Sequence, residues 1–576
     1  RRDGRAPSAP PCGITKPMAE SSFGGVFSSV AEANPTDLVA SLSPAAKAKL
    51  VAAIAASGDS AEEPTTALSH DGQNMFPTAE KPAEWTGFPT VELAPDLHIK
   101  RLLIGLWQVA DLEREGGLGL DHAAALADLA VYADAGLTTF DMADHYGSAE
   151  QLIGELTSST ELTGGVVPLT KWVPKPGGEH ATAEAVDAAV NLSLARLACT
   201  KLPLLQFHTW DYLDGPGRWL HQLKLLAAHE GVGHLGLTNV DTEHLRLALG
   251  DGIPIVSNQI CFSLLDRRAL NGGMCALCEE RGVKVIAFGV LAGGLLTDRW
   301  LGRTPPTPAE LAESWSLAKY YRFVPLFGGW MLLQKLLSAL NTVAQRHSTT
   351  IAAVATAWVL SQTAVGGVII GARLGKSSRL AEHRKPFEVV LTTCDRLEIT
   401  NVLDRSRPIP GDCGDEYRRP PFLTASGDLS HHLSTVPAAF VAKPMTGHTD
   451  SMPRLCVDSG SVWEPIAGFS RATRFGTIIH VSGTTATSPI DGSCVGGNDA
   501  GAQTTFALDV IEAALKALGG GLEHVVRTRL LVRNVDADWE AVATAHGRRF
   551  ARAGVRPSNT LVGAPLVGAE YLVEIE

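Results

Sequence analysis

The chain has 576 residues, too many for one hydrophobic core, so two or three domains are expected. Its 45% hydrophobic and 19% charged residues are ordinary for a globular protein. A formal net charge of -12 argues against nucleic acid or an acidic membrane surface as a partner, and no apolar run reaches membrane-spanning length.

Residues 1–90 are rich in Ala, Ser, Pro and Gly and read as a largely disordered, low-complexity segment. The opening RRDGRAPSAPPCG is basic and acid-poor, the composition of a transit peptide, and Met18 is a candidate start. One helix is expected there, Ser43–Ala56, with Ser43 as N-cap and Pro44 in its first turn. From Leu102 short apolar runs alternate with amphipathic helical patterns. Eight strands are predicted: Leu102–Trp107, Leu137–Phe140, Val166–Lys171, Leu202–His208, Gly233–Leu237, Ile255–Gln259, Val283–Phe288 and Gly367–Gly371. Helical patterns such as Asp121–Ala135, Ala181–Ala198 and Trp219–His229 separate them. Eight strand–helix units fit an α/β fold of the (β/α)8 TIM-barrel type, placed over residues 91–432 with a C-terminal extension. A doubly wound open sheet would carry a Gly-rich phosphate turn after its first strand; GLWQVADLEREGG lacks one.

The nine cysteines are scattered, which suits a reducing, cytoplasmic setting. Cys275 and Cys278 form a C-x-x-C without a second pair, so no metal site is expected; they read as buried thiols on a helix from about Asp266 to Arg281. A long connection, Thr297 to about Trp330, follows the seventh strand and is placed to cover the barrel mouth. Residues 433–455 read as a linker, and a small α+β domain is expected over 456–576. Its predicted elements are strands Thr477–Ser482, Val525–Val532 and Tyr571–Glu576, and helices Ala502–Leu518 and Trp539–Arg552. The chain stops inside its last strand, which reads as an open C-terminus.

Three consecutive strand ends bear residues of catalytic type: Asp141 with Tyr146 just beyond, Lys171, and His208. A parallel barrel gathers such ends into one pocket. A phenol ionises near a pKa of about 10, and a neighbouring ammonium favours its phenolate. Lys171 supplies that ammonium, Asp141 holds it charged, and His208 donates to an oxygen gaining negative charge. The set suits a carbonyl becoming an alkoxide as hydride arrives. It does not suit acyl transfer, because no Ser or Cys nucleophile stands beside the base.

On FDMADHY, LTKW, LLQFH, GLTN, NQICFS, AFGVLAGGLL and GARLG, in that order, residues 97–405 resemble the aldo-keto reductases. The resemblance implies an NADPH-dependent carbonyl reductase with Tyr146 as general acid, His208 polarising the carbonyl, and Asp141 and Lys171 tuning the tyrosine. It also implies Thr238, Asn239 and Gln259 at the nicotinamide carboxamide, Phe288 stacked on the ring, Leu291 and Gly293 bordering the pyrophosphate, and Arg373, Lys376 and Ser377 at the adenosine 2′-phosphate. Pro203, Thr238 and Phe288 depart from the commoner family residues, and Trp107, Trp172 and Trp210 are candidates for lining a small-molecule carbonyl pocket.

On IIHVSGTT, RPSNTLVG and the closing LVEIE, residues 456–576 resemble the Rid family of small trimeric proteins, whose best-known members hydrolyse enamines and imines. That implies a possible homotrimer. Asn559 stands where deaminating members carry an arginine, Arg556 lies three residues earlier, and Glu574 matches the family's water-associated acid. Poor imine deamination is therefore expected; turnover of 2-iminopropionate would refute it. Two further readings stay open: a nicotinamide-binding, redox-sensing barrel with the Rid-like domain as its oligomerisation or ligand-binding module, and enamine or imine deamination as the main activity.

Overall fold

The computed structural model describes residues 85–113, 119–159, 165–375, 379–418, 438–445 and 454–576. The helix expected over Ser43–Ala56 and the rest of residues 1–84 lie outside them.

Eight parallel strands close a barrel: β3 (Leu102–Gly105), β4 (Thr139–Asp141), β5 (Val167–Trp172), β6 (Leu202–Phe207), β7 (Val232–Thr238), β8 (Ile255–Cys261), β9 (Lys284–Phe288) and β10 (Val365–Gly371), with β10 hydrogen-bonded to β3. Each expected strand is present within about three residues of its predicted bounds. Helices lie between successive strands, for example His122–Asp134, capped by the Asp121 side chain on the Ala124 N–H.

Strand side chains alternate, so one parity points into the barrel and the other toward the helices. Leu103, Leu169, Leu204 and Ile286 share an interior cluster, whereas Leu102, Ile104, Phe140, Leu205 and Phe207 pack in the main core. Asp141, Lys171, Gln206, Thr238, Gln259 and Phe288 continue the interior parity at the C-terminal ends of their strands. The other end of the interior is filled by an antiparallel hairpin, β1 (Thr90–Ala94) and β2 (Leu97–Lys100), whose Leu93, Leu97 and Ile99 join that interior cluster. This hairpin was not foreseen from sequence, because its apolar side is short and matches no barrel repeat.

Two expectations need correction. The helix expected from Asp266 to Arg281 is broken into Arg268–Asn271 and Met274–Arg281, because Gly273 turns the chain with a φ of 85°. Cys275 and Cys278 are buried on the second piece, and burial pushes the Cys275 thiol up to about 12. Part of the expected linker is ordered as sheet: Lys443–Pro444 (β11) pairs with Leu455 and Cys456, and Phe440 is buried.

The C-terminal domain has two four-stranded sheets. One is β11, β12 (Arg454–Val457), β13 (Ala472–Phe475) and β14 (Ile478–Val481). The other is ordered β15 (Thr484–Thr485), β18 (Val573–Ile575), β16 (Arg527–Val532), β17 (Ser558–Gly563). Helices Ala500–Ala517 and Val535–Arg552 complete it. Barrel and C-terminal domain lie in one compact unit, and one apolar core runs through both. Residues 500–515 are buried along their whole length, and the helix packs on barrel helix Thr242–Gly250. The approach needs a glycine: a Cβ on Gly250 would sit 2.9 Å from the Gly496 carbonyl oxygen and 3.1 Å from the Ala502 Cβ. Full burial of a side chain such as Phe506 contributes about 2–3 kcal/mol.

Buried charges stitch the same junction. His244 lies between Asp241 (2.8 Å) and Asp509 (3.1 Å), with Tyr212 stacked on its ring at 3.4 Å. Burial works against the imidazolium, but the two carboxylates raise the His244 pKa above its ordinary value. Arg549 pairs with Asp509 (2.6 Å) and Glu512 (2.7 Å), and Arg552 with Asp241 (3.2 Å) and Asp415.

Candidate active site at the barrel mouth

The four residues singled out from sequence reach one rim. The Lys171 ammonium donates to both Asp141 oxygens (2.9 and 2.8 Å) and to the Met142 carbonyl (2.8 Å). It lies 5.0 Å from the centre of the Tyr146 ring. Asp141 and Lys171 are both buried, so their attraction is little screened by water. Tyr146 is half-buried in the turn after β4 and lines the cavity, as Asp141 does.

His208 follows β6 and is 5% exposed, with no hydrogen-bond partner at Nε2 among the described residues. Burial, reinforced by the positive Arg418, His145, Lys171 and Lys319, holds its pKa well below the ordinary histidine value. The imidazole is therefore neutral at pH 7, able to offer an N–H but not a full charge.

Gln206 was missed in the sequence reading. Its amide donates to Asp141 (3.2 Å), while the Gln259 amide nitrogen gives one hydrogen to Asp141 (2.7 Å) and one to the Gln206 oxygen (2.8 Å). Asp141 thus gathers Lys171, Gln206 and Gln259 around one carboxylate. The signal was present: a polar side chain inside LPLLQF, buried on both sides, needs a partner.

A cavity of about 890 Å3 runs from this cluster outward, lined by Tyr146, Thr238, Asn239, Phe288, Arg373 and Arg379, with Leu291 and Gly293 also on its wall. Among the described residues, Thr238 Oγ1 and Asn239 Oδ1 are buried without partners, two polar groups ready for a ligand amide. Asn239 holds a left-handed φ of 57°. It is braced from outside: Arg418 donates to its carbonyl, and a Cβ on Gly414 would sit 1.9 Å from that oxygen. Gln259, by contrast, directs its amide hydrogens at Asp141 and Gln206. Phe288 is half-buried at the end of β9, an aromatic edge on the cavity. Arg373 and Arg379 line the same cavity; Lys376 and Ser377 lie outside the described residues. Orphaned amide partners, an aromatic wall and two cations fit a nicotinamide dinucleotide phosphate.

The connection from Thr297 to Trp330 is folded into short helices, and Lys319 and Tyr320 of the helix Trp315–Tyr321 line the cavity. Tyr417, from the segment after the barrel, lines it too, with its ring 5.8 Å from that of His208. No sequence signal marked Tyr417 or Arg418, because they lie beyond the repeating strand–helix pattern. Trp107 lines the cavity; Trp172 and Trp210 are buried and contact Phe207 and His208. Among the described residues, Cys261, Asp266 and Glu416 come within 4.8 Å of one another. Arg268 occupies that group, donating to Asp266 (2.8 and 2.6 Å) and Glu416 (2.7 Å).

A family model described as the aldo/keto reductase family matches residues 101–404, and one described as endoribonuclease L-PSP matches residues 460–576. Flagellar radial spoke protein 5 of Chlamydomonas reinhardtii is 27% identical over 296 residues, covering 41% of this chain and 55% of that protein. An aryl-alcohol dehydrogenase of Pestalotiopsis microspora is 26% identical over 312 residues, covering 50% of this chain and 75% of that protein. A solved glycerol dehydrogenase from Gluconobacter oxydans superposes with a TM-score of 0.46 at 20% identity, covering 56% of this chain and 97% of that chain.

Proposed function

The chain belongs to the aldo/keto reductase family through residues 101–404 and carries a C-terminal Rid-family domain; from that premise we propose that its barrel reduces an aldehyde or ketone to an alcohol with NADPH. When bound, the dinucleotide supplies a hydride to the carbonyl carbon. The Tyr146 hydroxyl gives its proton to the carbonyl oxygen, so that the alcohol leaves neutral. The Lys171 ammonium beside the ring stabilises the phenolate left behind, and Asp141 keeps that ammonium charged and aimed. Neutral His208 donates to the same carbonyl oxygen and steadies its developing charge without competing as an acid. Thr238 and Asn239 would hold the carboxamide, Phe288 would support the ring, and Arg373, with Arg379, would meet the 2′-phosphate.

The observation that carries this reading is that Asp141 and Tyr146 line one cavity, with the Lys171 ammonium bonded to Asp141 and 5.0 Å from the centre of the Tyr146 ring, while the neutral His208 ring lies 5.8 Å from that of the cavity-lining Tyr417. The test is a screen of NADPH oxidation by the purified chain over aldehydes and ketones, with Tyr146→Phe as the control. Loss of the phenolic proton donor lowers kcat/KM by about 100- to 10,000-fold. An unchanged rate in that variant would refute the assignment.

The Rid-family domain is proposed to act as an assembly module, favouring a homotrimer. Phe475 and Ile478, paired across β13 and β14, are 44% and 59% exposed, an apolar pair suited to contact with a second copy. Asn559 is engaged in donating to Thr528 (2.9 Å), which speaks against deamination as this domain's main role. Light scattering at three times the 60.9 kDa chain mass is expected; a monomer at micromolar concentration removes the reading.

A further inference from the structure

Donors from β5, β6 and β8 converge on one oxygen at the end of β4. Asp141 Oδ1 accepts from Lys171 Nζ at 2.9 Å, from Gln206 Nε2 at 3.2 Å and from Gln259 Nε2 at 2.7 Å. Its Oδ2 accepts from the same ammonium at 2.8 Å. Gln259 also donates to Gln206 Oε1 at 2.8 Å, so both of its amide hydrogens are committed inside the cluster. All four side chains are buried. The facing of each amide is fixed, because turning either one over would bring its carbonyl oxygen against the carboxylate.

A hydrogen bond to a carboxylate is stronger than one between neutral groups, because the donor takes up part of the charge. Two amides therefore draw some of the Asp141 charge away from Lys171 and hold the carboxylate against rotation. The ammonium keeps more of its positive field, and the Tyr146 ring lies 5.0 Å from it. A carboxylate without these amides would cancel the ammonium more fully and disfavour the phenolate. Other charged or titratable groups stand nearby. The His145 ring is 4.8 Å from that of Tyr146 and pairs with Asp144 at 2.8 Å. Glu113 accepts from Ser148 in the same turn, and Lys319 and Arg418 act on His208.

We propose that Gln206 and Gln259 are positioning residues for the proton donor: the amide pair fixes Asp141 and, through it, sets how strongly Lys171 draws the Tyr146 hydroxyl toward phenolate. This gives the Gln259 amide hydrogens to Asp141 rather than to a nicotinamide carboxamide. It rests on the reductase reading, which assigns tasks to Asp141 and Lys171 but leaves open what holds the carboxylate.

The test is an ultraviolet titration of phenolate absorbance in the full chain, each form compared with its own Tyr146→Phe version, so that Tyr146 alone is read. Gln206→Met and Gln259→Met keep the length of the side chain and remove the amide. Each is expected to move the Tyr146 midpoint up by about 0.5–1 pH unit. The alkaline fall in kcat for carbonyl reduction moves with it, while the Kd for NADPH, from fluorescence titration, is unchanged. In an Asp141→Asn background Gln206→Met moves the midpoint no further, because its effect passes through that carboxylate. Midpoints equal to wild type in both variants overturn the proposal, as does an equal shift from Gln206→Met with and without Asp141. A weaker Kd for NADPH in Gln259→Met at an unmoved midpoint also overturns it and returns that side chain to the carboxamide. Should one of the two variants fail to fold, the other decides. A chain that reduces no carbonyl refutes the reductase reading instead; the optical titration needs no turnover and still decides the role of the amide pair.

Discussion

Replacing Arg552 with methionine removes a buried guanidinium from the junction of the two domains. Arg552 pairs with Asp241 at 3.2 Å and with Asp415, and all three side chains are 10% exposed or less. Asp412 lies in the same group; burial, then the Asp241 charge, raises its pKa to about 6. Burial alone would raise the Asp241 pKa as well, but His244 and Arg552 together hold it well below the ordinary carboxylate range. Methionine conserves volume roughly but leaves Asp415 without this partner and Asp241 with His244 alone. Breaking a buried pair by deleting one partner costs about 3–5 kcal/mol. The sign with pH follows from the same groups. A carboxylate with a depressed folded-state pKa stabilises the fold above its unfolded pKa, and Asp241 loses the part of that contribution that Arg552 supplies while His244 keeps the rest. The deficit is therefore largest near pH 7 and shrinks toward pH 4, as the orphaned acids protonate. Urea unfolding read by tryptophan fluorescence and by circular dichroism measures it, and Arg552→Lys should recover part of the loss. A second effect reaches the proposed cofactor site. Asp241 lies two residues after Asn239, and Asp415 sits in the turn from which Arg418 donates to the Asn239 carbonyl. NADPH binding, followed by fluorescence titration, should weaken in Arg552→Met. A stability loss below about 1 kcal/mol at pH 7, the scale of an exposed pair, or a loss independent of pH, would refute the picture of a charge-stitched junction.

Gln206→Leu strips one donor from Asp141 and the acceptor for a Gln259 hydrogen. It should cost about 1–3 kcal/mol of stability, the penalty for a buried polar group left unmade, and a denaturation midpoint equal to wild type would contradict the network. The depressed pKa of His208 predicts that its contribution to kcat/KM does not fall off at pH 6.5, where an ordinary histidine would become charged. Because the folded state prefers the neutral ring, His208 also takes stability away as pH drops below about 6.5, where the unfolded chain binds the proton. A pH–rate profile with an inflection at 6.5 that disappears in His208→Gln would contradict this.

The barrel was legible because each strand–helix unit repeats, and the four candidate residues because they stand at or just beyond the ends of apolar runs. Interior parity supplies the physical reason: Asp141, Lys171 and Thr238 occupy the barrel-facing position at the last turn of pleat. What stayed hidden came from outside the repeat. The β1–β2 hairpin closes the far end of the interior with three apolar side chains, too few to stand out as a pattern. Tyr417 and Arg418 reach the mouth from a segment whose Gly, Asp and Pro content reads only as loop. The break at Gly273 was masked because the residues on both sides favour helix. The junction was hidden for a different reason. The apolar face of Ala500–Ala517 announces a core, but nothing in its spacing says whose core it joins.

That last helix has an evolutionary consequence. A module hung on a loose tether can be dropped, duplicated or exchanged by recombination at little harm to its neighbour. Here Phe506 and Ala502 belong to the same oily interior as the barrel's Leu245 and Leu247. A gene split at the boundary would leave each half with a greasy scar and unmatched acids. Once such a fusion has settled, descendants are constrained to inherit both parts together, and changes on either side must be answered by the other.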